Sequence, residues 1–167
     1  MNIKNLNSSV KDIYINQAFE ILNFFKSMII EVHHIGSSKL RKFPYDCDLD
    51  ILFIVKSYDD VKNLADILIA EGYVQIDDFS DFFRDDMVIR RTVDGTNINM
   101  IFMSSGSRKK ETVINCTEFL VFDKNYSDNL KILKKAFLKS EITEDEYGER
   151  KYRLFSMMNR NESSEGV

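Results

Sequence analysis

The sequence predicts one domain of the α/β class, more specifically α+β, in which a mixed sheet of about five strands is flanked by helices. Apolar residues recur at spacings of three and four between residues 9 and 28, as on one face of a helix. Five apolar runs of strand length follow, separated by turn residues. With 167 residues, 44% of them hydrophobic, the chain can bury a single core of its own.

The strands and the helix between them are predicted from local signals. Strands are expected over residues 31–35, 48–55, 73–76, 87–93 and 97–103. The run 48–55 is apolar on both faces after its first residues, which is typical of a strand at the centre of a sheet. Ser57 and Asp60 form a capping box for a helix that ends near Gly72. The dipeptide Asp94-Gly95 is a strong signal for a hairpin turn.

The C-terminal part is predicted to be helical. One helix is expected near Ser127, and a second begins at Thr143, whose Thr-x-x-Glu pattern caps it with Glu146. We therefore predict a single domain over residues 1–158, with a core at 9–104, a helical part at 124–158 and a flexible tail at 159–167. The aspartate-rich and phenylalanine-rich segment 77–86 is interpreted as a surface loop.

Composition excludes several classes of protein. The N-terminus does not resemble a signal peptide, and no run is long enough to span a membrane, so a cytoplasmic location without a membrane partner is expected. Cys47 and Cys116 are too few and too far apart for a disulfide framework or a zinc site. A net charge of -4 argues against non-specific binding to nucleic acid.

One motif carries chemistry. Gly36-Ser37 follows a predicted strand, and ten residues later Asp48-Leu49-Asp50 opens the next one, giving GS-x10-DxD. Glycine allows close approach to a phosphate, and serine adds a hydroxyl donor. Two aspartates two positions apart leave one face of a strand, about 7 Å apart along it, and suit a hard cation. The alternative is a Gly-Ser turn and an Asp pair that only begin a strand.

This motif resembles the signature of the nucleotidyltransferase superfamily, with the DNA polymerase β type of fold, and in particular its minimal MNT-type antitoxins. The resemblance covers residues 32–103. It implies a triphosphate site and a Mg²⁺ or Mn²⁺ site, with an NTP as the nucleotide partner. By this resemblance the metal ligands are Asp48 and Asp50, and the phosphate-binding residues are Gly36, Ser37, Ser38, Lys39 and Arg41. For Lys39 and Arg41, a solvated basic loop is the alternative.

The same resemblance implies a third carboxylate on a later strand, where this sequence has Asn99. Asn97 and Asn99 share one face of the predicted strand, so Asn99 can point at the site. An amide can ligate a metal but cannot act as a base. Asp86 and Asp94 are the alternatives for a third carboxylate if the strand assignment is wrong.

The C-terminal half also resembles small phage-encoded nucleotidyltransferases, which implies a phage or mobile-element origin. The residues that carry this resemblance are Ile98-Asn99-Met100-Ile101 and Leu154-Phe155.

Other polar residues have less specific interpretations. His33 and His34 precede the glycine turn and are expected to be partly buried, with proximity of His34 to phosphates as the alternative. Arg90 and Arg91 alternate on a strand, so one is expected to face the nucleotide and the other the acidic loop 77–86. A basic helix face, Lys131, Lys134, Lys135 and Lys139, is interpreted either as solvated or as an RNA contact.

The leading hypothesis is a metal-dependent enzyme that transfers a nucleoside monophosphate from an NTP to a protein hydroxyl or an RNA end, with Asp48, Asp50 and Asn99 at its centre. The alternative is a catalytically degenerate protein that binds a nucleotide or a partner protein, as an antitoxin-like or anti-defence factor would. A structural RNA-binding module is the third possibility. The base, the acceptor and the oligomeric state are not determined by the sequence.

Overall fold

The predicted α+β fold with a mixed five-stranded sheet and flanking helices is confirmed by a computed structural model, which describes residues 3–39 and 48–162. The strands are β1 (Ile29–Ile35), β2 (Leu49–Val55), β3 (Val74–Gln75), β4 (Met87–Val93) and β5 (Thr96–Ser104). The helices are α1 (Ile3–Phe25), α2 (Tyr58–Ala70), α3 (Lys110–Phe122), α4 (Lys124–Leu138) and α5 (Glu144–Glu162). Short 3-10 turns lie at Ser37–Lys39 and Asp81–Phe83.

The sheet has the strand order β1-β2-β5-β4-β3. β2 and β5 run parallel, and the other neighbouring pairs are antiparallel. The C-terminal end of β1 therefore lies beside the N-terminal ends of β2 and β5. Ile35 pairs with Asp50, and Asp50 pairs with Asn99, so three distant parts of the sequence meet at one edge of the sheet.

Both faces of β2 are covered, as its apolar run predicts. Ile51 and Phe53 pack on the α1 and α2 side of the sheet, together with Ile21 and Leu64. Leu52 and Ile54 pack on the opposite side, with Val113 of α3 and the phenylalanines of the 79–83 segment. Side chains two positions apart on a strand point to the same side of the sheet, so the side chains of Asp48 and Asp50 lie on the side of Leu52, which α3 covers.

The local signals for caps and turns are confirmed. The Asp60 N–H donates to the Ser57 side chain at 3.2 Å, and the Glu146 N–H donates to the Thr143 hydroxyl, also at 3.2 Å. Asp94 and Gly95 have φ values of 50° and 79°. Positive φ at both central residues is what a tight hairpin turn requires.

The helical part differs from the prediction. α3 was not expected, and it lies between the predicted core and the predicted helical segment. Its inner face includes Val113 and Leu120, but Val121 and Phe122 are exposed, so its apolar residues do not form a single stripe. α4 begins at Lys124, capped by Asp123, and α5 continues to Glu162, past the expected start of the tail at residue 159. Residues 163–167 lie outside the described residues.

Over residues 3–39 and 48–162, no helix is long and apolar enough to cross a membrane.

Candidate functional site

The turn at Gly36 lies so close to the Asp50 side chain that only glycine fits there. Gly36 has a φ of 74°, and a Cβ placed on it would lie 2.9 Å from Oδ2 of Asp50. Its N–H donates to the Thr117 hydroxyl of α3 at 3.2 Å, and that hydroxyl donates to the Val113 carbonyl at 3.1 Å. The turn is thus fixed between β2 and α3, and any larger residue at this position would meet the carboxylate.

The serines after Gly36 have different surroundings. Ser37 is buried, whereas the hydroxyl of Ser38 lies 2.8 Å from Nε2 of His34. The imidazole of His34 stacks on the ring of Tyr14 with 4.8 Å between centroids. Lys39 is exposed at the end of the turn. Arg41, predicted to contact the triphosphate, lies outside the described residues.

The two aspartates converge on one amide. Nδ2 of Asn99 donates to Oδ1 of Asp50 at 2.8 Å and lies 3.4 Å from Oδ2 of Asp48. Asn97 donates to Oδ1 of Asp48 at 3.3 Å. Asn99 is only 1% exposed, whereas the Asp48 side chain is 44% exposed. The Asp48 carboxylate is therefore accessible from solvent, whereas the amide that contacts both carboxylates is buried.

Arg90 of β4 supplies a positive charge beside Asp48. Its Nε donates to Oδ1 of Asn99 at 2.7 Å, and its Nη2 lies 3.7 Å from Oδ2 of Asp48. The Asn99 amide therefore connects the guanidinium on one side to two carboxylates on the other. An aspartate at position 99 could accept from Arg90 but could not donate to Asp50.

Desolvation raises the pKa of Asp50 above the usual aspartate range. The positive charges of Lys151 and Lys134, together with the Asn99 hydrogen bond, act in the opposite direction. The charge of neighbouring Asp48 adds to the increase. The positive charges and the hydrogen bond around Asp50 therefore offset only part of the effect of its burial on the pKa.

The alternatives for a third carboxylate lie elsewhere. Asp86 pairs with Lys109 at 2.5 Å, and Asp94 occupies the β4–β5 turn. In the parts of the chain that the structure describes, no group of three or more His, Cys, Asp or Glu side chains could hold a metal ion. Among the described residues, this edge of the sheet provides the carboxylates of Asp48 and Asp50 and the amide of Asn99 as candidate metal ligands.

Arg90 contacts Asp48 and Asn99, and the expectation that one of the two arginines faces a nucleotide stays a prediction. The expectation that its neighbour meets the acidic loop is wrong. Arg91 points to the other side of the sheet and pairs with Glu20 of α1 at 2.7 Å, with the Tyr73 hydroxyl at 3.1 Å. The alternation of side chains along the strand places the two arginines on opposite sides of the sheet. It does not identify the partner of Arg91, since Glu20 lies 71 residues earlier in the sequence.

The chain matches the family model described as "GrpB protein" over residues 1–161. The chain belongs to the GrpB family. A solved structure, the conserved protein GrpB from Enterococcus faecalis, is similar to it with a TM-score of 0.73 and 15% identity, covering 92% of this chain and 94% of that chain. At that identity the likeness shows the fold. No curated protein matches the chain.

The GrpB match corrects the resemblance drawn from the short motifs. The assignment to minimal MNT-type or small phage-encoded nucleotidyltransferases is wrong, because the GrpB model accounts for residues 1–161, whereas the GS-x10-DxD resemblance covers residues 32–103. The expected phage or mobile-element origin stays a prediction. The GrpB family is itself related to the nucleotidyltransferase superfamily.

We expect Thr117→Val to destabilise the fold by about 1–2 kcal/mol, because the Gly36 N–H loses its acceptor while the buried volume is retained. Urea unfolding measures the stability, and hydrogen exchange of the Gly36 amide should become faster. Thr112→Val, on the same helix, is the matched control. Equal stability and equal exchange in the wild type and Thr117→Val would contradict the role of Thr117.

We expect His34 to make the protein less stable as the pH falls. Burial, and then the charge of Lys39, lower the pKa of His34 from 6.5 to about 4. The contribution of neutral His34 to the free energy of unfolding is therefore fully present above about pH 6.5 and is lost as the pH falls through about 4. After allowance for partial exposure, this loss is about 1–2 kcal/mol.

Phenylalanine at position 34 keeps a ring against Tyr14 but cannot be protonated. Urea unfolding of His34→Phe at pH 7 and pH 4.5 should therefore show a smaller loss of stability than the wild type. His33→Gln, which leaves His34 in place, is the control and should retain the wild-type loss. An identical loss in His34→Phe and the wild type would show that His34 is not responsible.

Proposed function

We propose that this GrpB-family protein binds a nucleoside triphosphate with Mg²⁺ or Mn²⁺ and transfers the nucleoside monophosphate to a protein hydroxyl or an RNA end. The observation that carries the proposal is the convergence of Asp48 and Asp50 on the Asn99 amide, directly beside the Gly36 turn. The relation of the GrpB family to the nucleotidyltransferase superfamily supports it. A cytoplasmic location, where nucleoside triphosphates are made, is part of this proposal.

The residues at this edge fit a divalent cation of the magnesium type. Mg²⁺ is commonly held by one or two carboxylates together with substrate phosphates and water. Asp48 and Asp50 provide two carboxylates within hydrogen-bond reach of one amide nitrogen, and Asp48 is open to solvent. When bound, the cation would neutralise charge on the triphosphate and on the leaving pyrophosphate.

The protein's own residues would position the reacting groups. The acceptor oxygen forms a bond to the α-phosphorus, the bond from that phosphorus to the bridging oxygen breaks, and pyrophosphate leaves with the electron pair. Asn99 cannot take the acceptor proton. In this proposal that proton passes to solvent. The role of Asn99 is to hold Asp50 and Arg90 in place through the amide.

Transfer of label tests this proposal. The pure protein is incubated with each α-labelled NTP, with Mg²⁺ or Mn²⁺, and with host extract as the source of acceptor. We expect label to reach protein or RNA only when metal is present. Absence of label for every nucleotide and either metal would contradict the enzymatic proposal.

A second candidate is a protein that binds the nucleotide, or a partner protein, without chemistry. The observation that favours it is the pairing of Asn99 with Arg90, which places an amide and a cation where the superfamily has a carboxylate. This candidate predicts calorimetric binding of an NTP with no label transferred. The two candidates are thus separated by one protein preparation and two measurements.

A further inference from the structure

Two lysines from different helices meet over one aromatic ring. Nζ of Lys134 in α4 lies 5.2 Å from the centroid of the Tyr147 ring, and Nζ of Lys151 in α5 lies 5.9 Å from it. Lys134 is also 5.5 Å from the ring centroid of Phe137, which stacks on Tyr147. The two ammonium groups are thus held on a common platform.

Neither ammonium group has a carboxylate partner within ion-pair distance in the described residues, although both lysines are half-buried. Neighbouring lysines of the same region differ, since Lys131 pairs with Asp128 at 3.3 Å and Lys139 pairs with Glu141 at 3.8 Å. Contact with an aromatic face stabilises an exposed cation by only about 0.5–1 kcal/mol. The pair therefore has positive charge available for an anion.

The lysine pair lies on helices that pack against α3, the helix that covers the aspartate side of the sheet. The charges of both Lys134 and Lys151 act on the carboxyl group of Asp50. Asp50 and Asp48 lie on the side of the sheet that α3 covers, and α4 and α5 pack against α3. The sheet thus carries the negative charge, and the C-terminal helices carry positive charge that acts on it.

We propose that Lys134 and Lys151 bind the β and γ phosphates of the nucleoside triphosphate. The Gly36 turn and the aspartates lie at the sheet, and the two lysines supply the charge that the distal phosphates require. Ammonium groups bind phosphate oxygens through charge-assisted hydrogen bonds. The identity of the ligand as a nucleotide rests on the proposed function, but the phosphate site can be tested without a nucleotide or a metal.

The experiment is calorimetric titration of the full chain with inorganic triphosphate in buffer that contains a chelator. We expect the wild type to bind, each of Lys134→Gln and Lys151→Gln to weaken binding about tenfold, and the double variant to lose measurable binding. Lys135→Gln, an exposed lysine of the same helix, is the matched control and should bind as the wild type does. Circular dichroism and thermal unfolding check that each variant is folded.

Wild-type affinity in both single variants, or no binding of triphosphate by the wild type, would overturn the proposal. So would a single-stranded RNA that binds through Lys134 and Lys151 when triphosphate does not. If triphosphate binds through the lysines but no label is transferred with metal present, the phosphate site stands and the enzymatic proposal fails. The two failures are therefore distinguishable.

Discussion

Asp48→Asn is expected to lower the rate of label transfer from a nucleoside triphosphate by about 100-fold or more. Asparagine retains the size of the side chain and can still accept a hydrogen bond from Asn97 or Asn99. It removes one of the two negative charges proposed to hold the divalent cation. The initial rate of transfer at saturating NTP and a range of Mg²⁺ concentrations measures the effect.

Stability should change little in Asp48→Asn, because the Asp48 side chain is 44% exposed and its contacts are long. Asp66→Asn, an exposed aspartate of α2, is the matched control and should transfer label at the wild-type rate. Label transfer by Asp48→Asn at the wild-type rate and low Mg²⁺ would show that Asp48 does not hold the cation. Unfolding of the variant would be seen in its circular dichroism and would not be mistaken for a loss of chemistry.

Asn99→Asp is expected to destabilise the metal-free protein by about 2–4 kcal/mol. The donor to Asp50 at 2.8 Å is replaced by a carboxylate oxygen, at a position that is 1% exposed. Arg90 offsets part of the repulsion because it already contacts this side chain. Mn²⁺ should restore the lost stability, since three carboxylates bind a divalent cation more tightly than two.

Urea unfolding with a chelator and with Mn²⁺ measures this effect. Asn97→Asp is the matched control, since Asn97 contacts Asp48 but has no contact with Asp50, and it should lose less stability. If Asn99→Asp is as stable as the wild type without metal, the Asn99 amide does not hold the aspartates together. A gain of label transfer in this variant would identify the chain as an enzyme that has lost its third carboxylate.

The sequence predicts those parts of the fold that depend on neighbouring residues. The turn at Asp94-Gly95 and the cap at Ser57 are determined within a few positions, and β2 is recognisable because its run is apolar on both faces. The register of β2 with β5 then brings Asp50 beside Asn99.

Other features depend on contacts between distant residues. Thr117 lies on a helix without a clear apolar stripe and contacts Gly36 across 81 positions, so no local pattern indicates it. Lys134 belongs to a helix face that the sequence interprets as solvated or RNA-binding, and nothing in the sequence singles out Lys151. Their relation to Asp50 depends on the packing of α4 and α5 against α3. The family assignment failed because a motif of four specified residues is less specific than a family match over residues 1–161.

The division of the site between the sheet and the last two helices has a consequence for protein synthesis. A ribosome completes Asp48, Asp50 and Asn99 well before it reaches Lys134 and Lys151, at about 5–20 residues per second. A nascent chain that has just finished β5 therefore holds both carboxylates without α3 to anchor the turn and without the two lysines. If the lysines bind the distal phosphates as proposed, ligand binding becomes possible only after residue 151 has been added, several seconds after the sheet is complete.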